Sequence, residues 1–266
     1  MRVLGTPVWS LEVGEEEEIL CVSDLHLTPE HEEVSLAFFN LCRSRPENGI
    51  LIVLGDLFDA WVGPRQRKAR GWRELCGLLA RGWRGRRVYL LHGNRDYLLE
   101  SRFAEATGSV VVPGGLLLRR PGGRTLLCLH GDELCTRDHA YQRAKRRLRS
   151  APMRKLVSGL PWFLTRRLAA RARAKSRTVV RAADPATLLP PPEALAAAAE
   201  LHDGPLLFGH IHRLARGPLR EEGSPSPEYF VLPAFEPPSF GHALWAGDLP
   251  VHLEAGARSP WGSPLV

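Results

Sequence analysis

A chain of 266 residues, 44% of them hydrophobic, can bury one large core, and no stretch approaches the ~18 consecutive apolar residues that a membrane-spanning helix needs. Five scattered cysteines, none paired as CxxC, argue against a disulfide framework or a thiolate zinc site and fit a reducing compartment. The formal charge of +7 is local: residues 139–183 hold 14 Lys and Arg and no acid, while the rest of the chain holds 22 basic and 29 acidic residues. That one segment calls for an acidic partner.

In chain order, residues 1–18 read as an N-terminal extension with a polar, acidic end, and 19–266 as one domain. Glu15 to Glu18 stand where a signal peptide would carry its apolar region, so a cytoplasmic location is expected. Short apolar runs then alternate with longer amphipathic ones, the pattern of an α/β fold. Residues 19–23, 50–54, 88–91, 125–129 and 206–208 read as buried strands, with helices at 30–45, 66–81 and 98–107. Pro113-Gly114-Gly115 and Pro121-Gly122-Gly123 punctuate an expected meander of antiparallel strands. The basic segment, about 137–183, reads as a helical insertion broken near Pro152 and Pro161. A proline-rich linker at 185–192 leads to an Ala-rich helix at 193–201, and further strands are expected at 229–232 and 242–245.

Each buried run ends in polar residues that can bind metal. The five ends carry Asp24-Leu25-His26, Gly55-Asp56-Leu57-Phe58-Asp59, Gly93-Asn94-Arg95-Asp96, His130-Gly131-Asp132 and Gly209-His210-Ile211-His212. Taken singly, DxH, GDxxD or HxH is more often a turn or a helix cap than a ligand set. Five in succession, each after an apolar run, place Asp, Asn and His beyond the carboxyl ends of the strands, where open α/β sheets bind ligands. A two-metal hydrolytic centre needs such a set: a shared carboxylate plus imidazole and oxygen ligands. The mixture favours Mn, Fe or Zn over Mg alone.

The series DxH, GDxxD, GNRD, HG, GHxH resembles the calcineurin-like metallophosphoesterase superfamily. Longer strings narrow the resemblance to the UDP-2,3-diacylglucosamine hydrolases, the pyrophosphatases of lipid A biosynthesis: SDLHL at 23–27, LGDLFDAWVG at 54–63, LHGNRDYLL at 91–99 and HGDELCTRDHAYQ at 130–142. It implies a four-layer α/β/β/α sandwich with a helical cap insertion and two divalent ions, manganese the expected pair. Asp24, His26, Asp56 and His212 then surround one ion and Asp56, Asn94, His130 and His210 the other, with Asp56 bridging. Asp56, Asn94, Arg95 and His130 carry the catalysis by this resemblance, Arg95 taking up charge on the phosphates. Asp59 and Asp96 orient the ligands, and the six remaining histidines, at 31, 92, 139, 202, 242 and 252, are structural or solvent-facing.

The resemblance also implies substrate contacts at Asn94, Arg95, Asp138, Tyr141, Arg173, Ser176 and His210. Val180 and Ala183 stand where the family often has a polar residue and a lysine, leaving Arg177 or Arg181 to supply the cation. The implied substrate is a nucleotide-linked lipid, cleaved to UMP and a lipid monophosphate by a monomer at the cytoplasmic face of the inner membrane. Leu148, Met153, Leu156, Val157, Leu160, Trp162, Phe163, Leu164 and Leu168 among the arginines read as a membrane-surface element, or else as a solvated basic helix pair packed on the domain. A nucleotide or nucleic-acid phosphodiesterase is the alternative, against which the insertion offers few aromatic side chains for stacking bases. A non-catalytic scaffold would have no need of the full ligand set.

Overall fold

The computed structural model describes residues 1–182, 188–219, 227–246 and 251–254. In chain order the elements are β1 (Arg2–Val3), β2 (Thr6–Glu12), β3 (Ile19–Val22), α1 (Glu32–Arg43), β4 (Ile50–Val53), α2 (Trp72–Gly82), β5 (Arg87–Leu91), α3 (Ser101–Thr107), β6 (Val110–Val112), β7 (Gly115–Arg119) and β8 (Thr125–Cys128). There follow α4 (His139–Leu148), α5 (Ala151–Gly159), α6 (Trp162–Ala182), α7 (Pro192–Ala199), β9 (Leu206–Phe208), β10 (Ala215–Pro218), β11 (Glu228–Val231), β12 (His242–Trp245) and β13 (His252–Glu254). Among the described residues no helix is long and apolar enough to cross a membrane.

The strands form two sheets, ordered β13-β12-β3-β4-β5-β6 and β1-β2-β7-β8-β9-β11-β10. β3 to β6 run parallel, as do β8, β9 and β11 in the second sheet. Parallel strands are covered on both faces, which is why β3, β4 and β9 are continuous apolar runs with every residue buried. Alternate side chains divide between the faces. Leu20, Val22, Leu51 and Val53 point outward against Phe38, Leu41, Leu75, Leu79 and Phe103 of α1, α2 and α3. Ile19, Cys21, Ile50 and Ile52 point inward and meet Leu116, Leu118, Leu126 and Cys128 of the second sheet. The outer face of that sheet, with Leu117, Leu127 and Leu206, is covered by Leu195, Ala198 and Ala199 of α7. Three apolar interfaces thus separate four layers, the α/β/β/α sandwich, and α4 to α6 are inserted between β8 and β9.

Three expectations change. Residues 1–18 are not a free extension: β2 pairs parallel with β7 from Val8↔Gly115 to Glu12↔Arg119, and Val3, Val8 and Val13 are buried. The acidic end that follows is held by buried Arg120, which donates to the carbonyls of Gly14 (2.8 Å), Glu17 (2.6 Å) and Trp245 (3.0 Å) and lies 4.5 Å over the Trp245 ring. The helix expected at 66–81 is split by Gly71, whose φ of 78° breaks the spiral, into a short turn at Gln66–Lys68 and α2. The expected meander is not one sheet: β6 joins β5 in the first sheet, and the chain crosses at Gly114 before β7 and β8 pair antiparallel in the second. The proline-rich stretch 233–240 carries no strand or helix, yet it is packed, with Phe235 and Phe240 in the core and Phe235 N–H donating to Ser23 O at 3.1 Å.

Candidate metal centre

Parallel register brings the carboxyl ends of β3, β4 and β5 to one edge, and the ends of β8 and β9 face them from the second sheet. Beyond β3 and β4 the two loops keep pairing: Asp24 N–H donates to Gly55 O (3.2 Å), His26 N–H to Asp56 O (3.0 Å) and Leu27 N–H to Leu57 O (2.9 Å). Phe58 and Trp61 anchor the second loop by stacking at 5.0 Å within a buried cluster that includes Phe103. Apolar residues of the GDLFDAW string therefore hold the backbone, and its first carboxylate is left to the site.

The carboxylates of Asp24 and Asp56 lie at the centre, 0% and 1% exposed. His212 Nε2 is 3.2 Å from Asp24 Oδ1, His26 Nε2 is 3.4 Å from Asp56 Oδ2 and 4.0 Å from Asp24 Oδ1, and His130 Nε2 is 3.9 Å from Asp56 Oδ1. Asn94 Oδ1 stands 3.0 Å from His130 Nε2, and the His210 ring centroid 5.1 Å from that of His130. His130 Nδ1 sits 2.8 Å from Leu54 O, a bond that leaves Nε2 as the atom offered to the site. All seven residues expected as ligands are thus gathered around two buried carboxylates.

Burial opposes the charge of both carboxyls. The surrounding imidazoles outweigh it, His212 at Asp24 and His130 at Asp56, and hold both below the usual range. Burial likewise opposes charge on His130, but Asp56 and Asp24 push its pKa up to about 9. His210, half-buried beside His130, is pushed down to about 4 by loss of solvent and by the charge of His130.

The arrangement fits divalent ions. Asp24, His26 and His212 offer ligand atoms within 4.8 Å of one another, and so do Asp24, Asp56 and His130. Asp24 Oδ1 is buried and turned to imidazole nitrogens, His212 Nε2 at 3.2 Å and His26 Nε2 at 4.0 Å, while Oδ2 of the same carboxylate is taken by Ser23 Oγ (2.6 Å) and His210 N–H (2.8 Å). Five residues of the site, Asp24, His26, Asp56, His210 and His212, have positive φ, from 48° to 68°. Such backbone costs of order 1–3 kcal/mol per residue and persists where the surroundings over-determine it. Strain is concentrated where the side chains must converge.

Arg95 lies at the rim with its side chain 31% exposed; Nη1 pairs with Asp59 Oδ1 at 2.6 Å and Nε lies 3.4 Å from Asp56 Oδ2. Asp59 therefore steadies Arg95. Asp96 is a turn residue, accepting from Gly93 N–H (2.9 Å) and Phe58 N–H (3.4 Å). Asp138 caps α4 by accepting from Tyr141 N–H at 2.9 Å, and the Tyr141 ring lies 6.3 Å from His210. Arg173, Ser176, Arg177, Val180 and Arg181 fall on α6, but their side chains, and Ala183 altogether, lie outside the described residues.

One group was not anticipated. Buried Asp132 receives the Tyr141 hydroxyl, Lys145 Nζ at 2.9 Å and Arg149 Nη2 at 3.4 Å. A signal for it exists in the spacing, because positions 141, 145 and 149 recur every four residues along one helical face.

The family profile for calcineurin-like phosphoesterases matches residues 18–214. A UDP-2,3-diacylglucosamine hydrolase of Pseudomonas putida is 34% identical over 211 residues, covering 78% of this chain and 87% of the relative. One from Escherichia coli is 34% identical over 198 residues, covering 74% and 82%. Among solved structures, a 5'-nucleotidase precursor from Thermus thermophilus aligns at TM-score 0.39 and 16% identity over 93% of this chain and 55% of that one. With its ligand-type residues at five strand ends, and with the family profile and these hydrolases matching most of its length, the chain belongs to the calcineurin-like phosphoesterase family, among the UDP-2,3-diacylglucosamine hydrolases.

Proposed function

We propose that this chain hydrolyses the bond between the two phosphates of UDP-2,3-diacylglucosamine, releasing UMP and 2,3-diacylglucosamine 1-phosphate. The observation that carries the proposal is the convergence of His26, Asn94, His130, His210 and His212 on the carboxylates of Asp24 and Asp56, in a chain 34% identical to hydrolases named for that substrate. The family uses divalent metals. Asp24, His26, Asp56 and His212 are assigned to one ion and Asp56, Asn94, His130 and His210 to a second, with manganese suited to the mixed oxygen and nitrogen donors. Bound there, the ions would acidify an attacking water and neutralise charge on phosphoryl oxygens.

The chain's own groups do the rest. Arg95, steadied by Asp59 and still open at the rim, can hold phosphate oxygens with two parallel N–H bonds and keeps its charge throughout. Asn94, His210, Asp138, Tyr141, Arg173 and Ser176 are assigned to the rest of the substrate. The cap supplies the lipid grip: Leu148, Leu156, Phe163, Leu164 and Leu168 are exposed among its basic residues. An apolar surface ringed by cations suits acyl chains and an anionic membrane face, which supports a working place at the cytoplasmic side of the inner membrane.

The test is kcat/KM with Mn²⁺ for UDP-2,3-diacylglucosamine beside deacylated UDP-sugar, a dinucleotide and single-stranded DNA. The diacylated substrate is expected to lead by at least about a hundredfold, since each buried methylene contributes ~0.8 kcal/mol. A dinucleotide or DNA in the lead would transfer the site to nucleotide chemistry.

Two further results are expected. Phe163→Glu with Leu156→Glu should raise KM for the diacylated substrate about tenfold or more and weaken co-sedimentation with anionic vesicles, because both side chains lose apolar contact. Turnover of a small soluble phosphodiester should not change; equal losses on both substrates would make these side chains ordinary packing. In addition, His130, held up at about 9, must lose a proton to become a ligand. Mn²⁺ affinity is expected to rise with pH towards about 9, with protons released on binding near neutrality. Calorimetry in buffers of different ionisation enthalpy reads this, and a heat independent of buffer would contradict it.

A further inference from the structure

The cap is tied to the metal centre through one buried carboxylate and one arginine. Asp132, 1% exposed, lies two residues beyond His130. Three side chains of the α4 segment converge on it: the Tyr141 hydroxyl, Lys145 Nζ at 2.9 Å and Arg149 Nη2 at 3.4 Å. Gln142 Nε2 adds bonds to the carbonyls of Asp132 (2.7 Å) and Cys135 (3.1 Å). The same Arg149 nitrogen donates to Gly93 O at 2.8 Å, and its guanidinium lies 5.8 Å over the Tyr97 ring.

Gly93 opens the turn that carries Asn94 and Arg95. It packs so closely on the site that a Cβ there would overlap Asp56 Oδ1. The turn is closed by its own Asp96, which accepts from Gly93 N–H, and is held from the cap by Arg149, which donates to the Gly93 carbonyl. Arg95 N–H donates to Asp56 Oδ1 at 2.9 Å, so a shift of the turn moves Arg95 and disturbs Asp56 together.

We infer that Arg149, clamped by Asp132, is a positioning residue that sets the Asn94–Arg95 turn from the cap, so that catalysis depends on how α4 is docked. The inference rests on the phosphoesterase reading of the site, and it assigns Arg149 no contact with substrate. Its cation is already committed to Asp132 and Gly93 O, and its ring contact with Tyr97 fixes the plane from which it donates. Lysine at 149 would keep the charge beside Asp132 but lacks the planar guanidinium that lies over Tyr97 and aims Nη2 at both Gly93 O and Asp132.

The test compares Mn²⁺-loaded wild type with Arg149→Ala and Arg149→Lys on bis(4-nitrophenyl) phosphate and on UDP-2,3-diacylglucosamine, together with amide exchange in the turn. A misplacement on the order of 1 Å can cost ~10²-fold in rate, so kcat for Arg149→Ala is expected to fall at least about tenfold on both substrates, with KM for the small diester and bound metal unchanged. Amides of 93–96 should exchange faster while the rest of the sheet does not. Low millimolar guanidinium should restore part of the lost kcat in Arg149→Ala and none in Arg95→His, a rescue that a merely structural residue does not give. Should Arg149→Ala fail to fold, Arg149→Lys carries the same readings. Wild-type kcat with unchanged exchange, or a loss explained by the unfolded fraction, would overturn the inference. If wild type cleaves the diester but not the lipid, the substrate proposal fails alone, and exchange in the turn still decides the role of Arg149.

Discussion

Asp56→Ala is expected to lower turnover at least about a thousandfold and to reduce bound metal below two ions per chain. The carboxylate is 1% exposed and has His26 Nε2 at 3.4 Å from one oxygen and His130 Nε2 at 3.9 Å from the other. Asp24 also belongs to both ligand groups, with His26 and His212 and with Asp56 and His130, but Asp56 has a different imidazole nitrogen within 4 Å of each of its two oxygens. Alanine also leaves Arg95 N–H without its acceptor and removes the negative charge that His26 and His130 face. Breaking a buried charged group away from its partners costs about 3–5 kcal/mol, so some loss of stability should accompany the loss of metal. Elemental analysis, thermal melting and turnover on one preparation check all three. Near-wild-type turnover with two ions bound would remove Asp56 from its bridging place.

Arg95→His should lower kcat on the lipid substrate by ~10²–10³, the cost of losing one preorganised donor to a developing anion, with bound metal unchanged. The guanidinium reaches the rim because Asp59 holds Nη1 at 2.6 Å, while the backbone N–H at 95 independently serves Asp56. Imidazole is shorter and cannot form two parallel bonds to a phosphate. The backbone bond to Asp56 survives the substitution, which is why metal should stay. Metal falling in step with activity would make Arg95 a support for the ligands.

The convergence of these side chains was legible because each short apolar run stops abruptly at Asp, Asn or His, and parallel strands must be apolar throughout. What the sequence hid depends on distant partners. β2 pairs with β7, about a hundred residues away, and its Trp9 is exposed, so no local period announced it. The acidic run at 15–18 resembled a solvated tail until Arg120 was seen to collect its carbonyls. Lys145 and Arg149 resembled solvent-facing charge for the same reason, since their counter-ion Asp132 lies before the helix and under it. The positive φ at Asp24, His26, Asp56, His210 and His212 was invisible too: these residue types tolerate that conformation but do not require it.

The central claim is metal-dependent cleavage between the two phosphates. Purified protein, stripped of metal and reloaded with Mn²⁺, is incubated with UDP-2,3-diacylglucosamine and followed by ³¹P NMR. UMP and 2,3-diacylglucosamine 1-phosphate are expected in equal amounts, with no turnover before reloading. UDP with a free diacylated sugar, or the same rate with metal removed, would contradict the account.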